Sequence, residues 1–203
     1  PTLHGSSAAS DVYKRQIYHY VYITDSEEGL IVVNVDTLAD AERRNNFLKR
    51  DLTWNEDGIL AGAQHINIAG HHAYILTKTD LVILDLDDPL SPKFVNKISF
   101  NDPKAIEIQF RYAFVVDADG FHSVDVTDKD KIQKVASVKL EDARNLYVAR
   151  TYAYVAGGSQ GLVIVDVEKA DKPFIDQTYN DEGKIDDLSD VKVATTNASL
   201  FAY

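Results

Sequence analysis

Cysteine and methionine are both absent from this chain of 203 residues. Without a thiol there is no disulfide, no thiolate nucleophile, no cysteine-ligated zinc and no covalently attached haem; the redox compartment stays open, because cysteine-free chains occur on both sides of a membrane. No apolar run approaches the ~20 residues that span a bilayer. Basic side chains are scarce, 21 against 32 acidic ones, for a net charge of -11. Such a surface repels phosphate backbones, which argues against nucleic acid and anionic membranes as partners and leaves cations, basic proteins and neutral ligands. Also missing are a nucleophile elbow, a phosphate-binding loop, a dinucleotide glycine pattern and a zinc-protease helix. What is present, 45% hydrophobic and 26% charged residues, is the composition of a folded chain, long enough for one all-β domain or most of one.

The first sixteen residues stand apart. Ser6 to Gln16 (SSAASDVYKRQ) resembles the in-frame translation of a transposase-based sequencing adapter. Pro1–Gln16 is therefore set aside from fold reasoning as an artefactual or disordered tail. On that reading the natural start and any signal peptide lie outside the chain, and the rest carries 19 basic and 31 acidic residues, a charge of -12.

The remainder is organised by internal repeats. Ala153-Tyr154-Val155-Ala156, a turn, then Gly161-Leu162-Val163-Ile164-Val165-Asp166-Val167 is the clearest copy. Related copies run from Tyr22 through Gly29–Val35, from Ala73 through Asp80–Leu86, and from Ala113 through Gly120–Val126. An aromatic recurs at Tyr22, Tyr74, Phe114, Tyr154 and Tyr203, and an Asx residue at Asn34, Asp85, Asp125 and Asp166, at spacings of 51, 40 and 41 residues. Each copy reads as four short strands rich in Val, Ile, Tyr and Phe and bounded by Gly, Asp, Asn or Pro. In the second copy these are 72–77, 81–85, 93–99 and 105–110. Near-continuous apolar runs such as Leu162–Val165 predict strands covered on both faces, as in a blade stacked between two others. A four-stranded antiparallel unit of ~40 residues is the propeller-blade period. The expected fold is an all-β propeller fragment of four four-stranded antiparallel blades, about 17–70, 71–111, 112–150 and 151–200, with a fifth beginning near 201. An unclosed ring would leave strand edges open to aggregation. Only 37–49 offers room for a turn of helix.

The first and fourth copies carry a matching insertion. Trp54-Asn55-Glu56-Asp57-Gly58 in one corresponds to Tyr179-Asn180-Asp181-Glu182-Gly183 in the other. One reading is a turn, with Asn as cap and Gly at positive φ. The other is an acidic loop that holds a cation or a basic partner; two acids and an amide suit Ca2+, although a full Ca2+ shell takes ~6–8 oxygens. Arg43, Arg44, Lys49 and Arg50 form a small basic cluster able to pair with an acidic partner. The recurrent Asp85, Asp125 and Asp166 at strand ends suit carboxylates that accept backbone N–H bonds. Asp117-Ala118-Asp119-Gly120 is a fragment of a calcium loop without its spacing. His65, His71 and His72 cluster in sequence, but strand neighbours point to opposite faces, so His71 and His72 are not expected to share a metal.

The runs GLVIVDV (Gly161–Val167) and DLVILDL (Asp80–Leu86) resemble the LVIVD-repeat family of bacterial proteins. The first copy departs at Asn34 and the third with Phe121-His122-Ser123-Val124. The resemblance implies a β-propeller in an exported, cell-surface or periplasmic protein, and assigns no catalytic residues. The expected function is a non-catalytic module that binds or scaffolds a protein, glycan or surface ligand, with the remaining blades elsewhere in the same protein. The competing readings are a propeller hydrolase or lactonase with a central Ca2+, which needs polar residues differing from blade to blade on the inner strands, and a scaffold beside redox domains.

Overall fold

The computed structural model describes residues 20–36, 44, 47–195 and 200–202. The tail 1–16, Arg43 and most of 37–49 lie outside the described residues. Strands β1 (Tyr20–Asp25), β2 (Gly29–Asn34) and β3 (Lys49–Trp54) form a first antiparallel sheet. The second joins β4 (His65–Ala69), β5 (His72–Leu76), β6 (Asp80–Asp85) and β7 (Lys93–Ser99). The third joins β8 (Ala105–Gln109), β9 (Tyr112–Asp117), β10 (Gly120–Asp125) and β11 (Gln133–Lys139). The fourth joins β12 (Asn145–Ala149), β13 (Tyr152–Ala156), β14 (Leu162–Asp166) and β15 (Phe174–Tyr179). A last pair, β16 (Val193–Thr195) and β17 (Leu200–Ala202), completes the described strands.

The sheets stack face to face, and the alternation of each strand shows how. On β5, Ala73 and Ile75 enter a core shared with Leu30 and Val32 of the first sheet, whereas Tyr74 and Leu76 enter a core shared with Ala113 and Val115 of the third. On β9, Phe114 and Val116 turn the other way, to Ala153 and Val155 of the fourth. Period-two alternation thus feeds two cores from one strand. Consecutive cores run from the first sheet to the last, where Tyr154 and Ala156 meet Val191 and Val193. Strand β8 lies against both β4 and β12, so the first strands of the four-stranded sheets stand side by side at the centre and β7, β11 and β15 form the outer edges. Radially stacked sheets of this kind make a β-propeller arc.

Each of the first four sheets carries the same bulge. Pairing slips between Val32 and Val33, Ile83 and Leu84, Ser123 and Val124, and Ile164 and Val165, always against the outer strand. One extra residue per outer strand raises the local twist. The recurrent Asx residue has the role expected of it. Oδ1 of Asn34, Asp85, Asp125 and Asp166 accepts from the backbone N–H of Asp36, Asp87, Thr127 and Glu168 at 2.9, 2.8, 2.8 and 2.9 Å.

The blade limits differ from those expected. The strand at 105–109 does not close the second blade but opens the third sheet, and His65–Ala69 likewise opens the second. The sheets therefore run 65–99, 105–139 and 145–179, one strand out of phase with 71–111, 112–150 and 151–200; the fifth opens at Val193 and not near 201. The reason is loop length. Gly70-His71, Phe110-Arg111 and Arg150-Thr151 are two-residue turns between directly paired strands, as in Ala69↔His72, Gln109↔Tyr112 and Ala149↔Tyr152. A two-residue connection forces its strands into one sheet. The longer segment 100–104 makes the crossover to the next.

Candidate functional site

The two copied loops close as the same turn. Glu56–Gly58 and Asp181–Gly183 are single 3-10 turns, with Asp57 at φ 52 and Glu182 at φ 57. Asn55 Oδ1 accepts from Leu60 N–H at 2.9 Å and its amide donates to the carbonyl of Glu27 at 3.3 Å. Asn180 Oδ1 accepts from Gly183 N–H at 3.3 Å. Each Asn rests on a hairpin glycine of its own sheet. A Cβ on Gly29 would stand 2.7 Å from the Trp54 carbonyl and 2.8 Å from Asn55 Cβ; one on Gly161 would stand 2.9 Å from Asn180 Cα and collide with the Tyr179 carbonyl. Both glycines have positive φ, 84 and 74, so their identity follows from conformation and contact together.

The two loops differ in what they offer. Trp54 packs against Leu30, Leu60 and Ala63 in the first core, while Tyr179 is 56% exposed. Glu56, Asp57 and Glu182 project to solvent; Asp181 is half-buried and pairs with Lys184 at 3.2 Å. Among the described residues no set of three potential metal ligands forms in either loop. Arg44 is exposed in a turn, and Arg50 pairs with Glu28 across the first sheet. Asp117 is occupied by backbone: Oδ1 accepts from Asp119 and Gly120 N–H at 2.8 and 3.1 Å, and Oδ2 from Asn101 N–H at 3.1 Å.

The inner strands hold a group that sequence reasoning did not single out. Asn67, Glu107 and Tyr147 occupy one position on β4, β8 and β12, at a spacing of 40 residues. They differ from blade to blade at the centre of the arc. Asn67 Nδ2 donates to Glu107 Oε2 at 3.1 Å. Lys192 faces all three strands: its ammonium stands 5.7 Å from the Tyr147 ring centroid, and its charge acts on His65 and Glu107. Burial pushes the Glu107 carboxyl up, opposed by Lys192 and the Asn67 hydrogen bond. Burial pushes the His65 imidazole down, aided by Lys192, and its buried Nδ1 has no hydrogen-bond partner among the described residues. A carboxyl, an amide, a phenol and an ammonium can together bind a polar ligand. The 40-residue spacing was the available signal.

The third blade replaces two aliphatic residues by polar ones. His122 stands where the second and fourth have Val82 and Val163, and Ser123 where they have Ile83 and Ile164. His122 is buried, its Nε2 is 2.7 Å from Asp117 Oδ1, and its Nδ1 is 2.7 Å from Ser137 Oγ on the exposed outer strand. The relay ends at an open cavity of about 560 Å³ bordered by Asp119, Lys139 and Glu141. Burial raises the Asp117 carboxyl, but the hydrogen bond from His122, the Asp119 N–H and the remaining donors outweigh it and hold the group below the ordinary carboxylate range. Ser123 Oγ is buried and has no partner among the described residues.

The LVIVD repeat model matches residues 19–37, 62–99 and 141–180, leaving out the polar third copy. No curated protein matches this chain. Among solved structures it is similar to the N-terminal domain of Nup159, with a TM-score of 0.55, 11% identity, and coverage of 79% of this chain and 41% of that one. The same similarity, 0.55 and 11%, holds for an S. cerevisiae complex in which Dbp5 is bound to Nup159, Gle1, IP6 and ADP. PorZ, a bacterial surface component of the type-IX secretion system of Porphyromonas gingivalis, aligns at a TM-score of 0.53 and 10% identity over 90% of this chain and 23% of that one. At these identities the likeness is one of fold. The chain spans less than half the length of each.

Proposed function

We propose that this chain of LVIVD repeats is a non-catalytic binding and scaffolding module of a larger exported bacterial protein, and that its partner is a protein, glycan or surface ligand. The observation that carries this reading is the division of labour among the recurrent residues. Those common to all four sheets are spent on packing or turns: an oxygen of Asn34, Asp85, Asp125 and Asp166 is held by backbone N–H. Three acids of the copied loops, Glu56, Asp57 and Glu182, instead face water at the same end of the first and fourth sheets, with Asp181 paired to Lys184. In a chain of net charge -11 they favour a partner with basic groups. Similarity to the surface component PorZ and to Nup159, which is held in a protein complex, supports export and protein binding by analogy alone.

The test uses poly-lysine and poly-glutamate as probes, with binding followed by biolayer interferometry. Poly-lysine binding should weaken with salt and fall at least fivefold in E56Q/D57N/D181N/E182Q. A control of equal charge, D87N/D88N/D128N/D130N, should lose less than half as much. Equal losses would remove the loops from the reading.

One observation favours a second reading, a propeller hydrolase or lactonase: Asn67, Glu107 and Tyr147 differ from blade to blade, as a central site requires. Lys192 opposes its Ca2+, because an ammonium acting on Glu107, the one inner-strand carboxylate among the described residues, takes the place of the metal charge. Turnover of chromogenic esters or lactones that needs Ca2+ and is lost in Glu107→Gln would replace the binding reading by this one.

A further inference from the structure

We infer that His71, His72 and Asp85 form a binding site for a divalent transition metal of the Zn2+ class. Their ligand atoms all lie within 4.8 Å of one another, and no other such set of three occurs among the described residues. The argument against a shared metal, that strand neighbours face opposite ways, does not apply here. His72 begins β5, but His71 sits in the two-residue turn behind it. Gly70, at φ 63, reverses the chain there and brings the His71 ring within 4.4 Å of the His72 ring, centroid to centroid. Asp85 is the direct cross-strand partner of His72.

The carboxylate is already oriented. Its Oδ1 accepts the Asp87 N–H at 2.8 Å, while Oδ2 and both imidazoles make no hydrogen bond among the described residues. That backbone donor does for Asp85 what outer hydrogen bonds commonly do for metal ligands. Zinc bonds of ~2.0–2.1 Å in a tetrahedron place donors about 3.3 Å apart, so the side chains close the remainder by rotation. Two imidazoles and one carboxylate suit Zn2+, Cu2+, Ni2+ or Co2+ and leave one position for water or an incoming ligand. They do not suit Ca2+, which takes ~6–8 oxygens. Lys129 is the nearby positive charge that acts on His72.

The sister blades show that these residues are not needed for the turn. The same two-residue connection and the same Asx bond are built with Arg111, Tyr112 and Asp125 in the third sheet and with Thr151, Tyr152 and Asp166 in the fourth. Among the described residues the ligand set belongs to the second blade alone.

Isothermal calorimetry with Zn2+ and Co2+ on the whole chain tests the site, with the visible spectrum of bound Co2+ reporting coordination. One equivalent should bind and raise the melting temperature. H71A/H72A should weaken binding more than tenfold and abolish the Co2+ band. Asp85→Asn should weaken it severalfold with the metal-free melting temperature unchanged, because Asn34 forms the same turn bond in the first sheet. No heat and no shift with Zn2+, or one equivalent retained in H71A/H72A, would overturn the site. A Ca2+ response that disappears in Asp85→Asn would overturn the metal class.

Discussion

Strands β6 and β14 carry almost the same residues and have different surroundings. Leu81, Val82, Ile83 and Leu84 are each 0% exposed. In Leu162-Val163-Ile164-Val165 the two valines are equally buried, but Leu162 and Ile164 are only partly covered. The outer strands repeat the contrast: β7 is partly covered, whereas all six residues of β15 are exposed, Phe174 and Ile175 by 55% and 42%. The difference is in the neighbours. A full third sheet lies over one face of β6, while the corresponding face of β14 meets Leu188, Val191, Val193 and a sheet of two short strands. The LVIVD run supplies a strand with two apolar faces, and each face contributes only when something packs on it.

The contrast can be broken most directly at Ile83 and Ile164. Ile83→Ala should cost about 3–4 kcal/mol, since a buried isoleucine loses both transfer energy and packing, and Ile164→Ala about 1–2 kcal/mol. Urea denaturation of the two variants measures the difference, and equal losses would mean that burial does not distinguish the two strands. Glycine provides the next test. Gly29→Ala should cost about 2–3 kcal/mol, because it adds a collision with the Trp54 carbonyl to an unfavourable positive φ. Gly58→Ala, at φ 70 with nothing within 4 Å, should cost about 1 kcal/mol.

The third sheet sharpens the comparison by chemistry. The folded Asp117 carboxyl lies below its ordinary range, so its contribution is fully present above the unfolded value near pH 4 and lost as pH falls through the folded value. Between pH 5 and 2 the wild type should therefore lose more stability than Asp117→Asn, read as a larger fall in its urea midpoint, and equal falls would mean that Asp117 does not carry the pH dependence. The smallest effect should have the opposite sign. Ser123 stands where the second and fourth sheets have isoleucine, and its hydroxyl has no partner among the described residues. Ser123→Ala should stabilise by about 0.5–1 kcal/mol.

Most of the fold was legible because it repeats. Val, Ile and aromatic alternation marked the strands, and one Asx per copy marked the turn that ends the second strand of each hairpin. The sheet frame was not legible, since two of the three turns that define it, Phe110-Arg111 and Arg150-Thr151, contain no glycine. Phe110 and Arg150 adopt φ 54 and 57 there, against their own preference. The same blind spot concealed the histidine pair, because placing His71 on a strand assigned it the wrong face. The copied loops were legible as turns, because Asn and Gly stand where the two 3-10 turns form; the exposure of their carboxylates was not, since it is a property of backbone conformation and not of composition.

The repeat, the strand-forming residues, the structural Asx positions and the acidic character follow from residue order alone, because each depends on local preference or on counting. Which strands share a sheet, which apolar faces are covered, and that Asn67, Glu107, Tyr147 and Lys192 meet were settled by folding. The first follows from two-residue turns, two of which run against the preference of Phe110 and Arg150; the other two depend on contacts between segments distant in the chain, and local preference carries no information about what will be packed alongside.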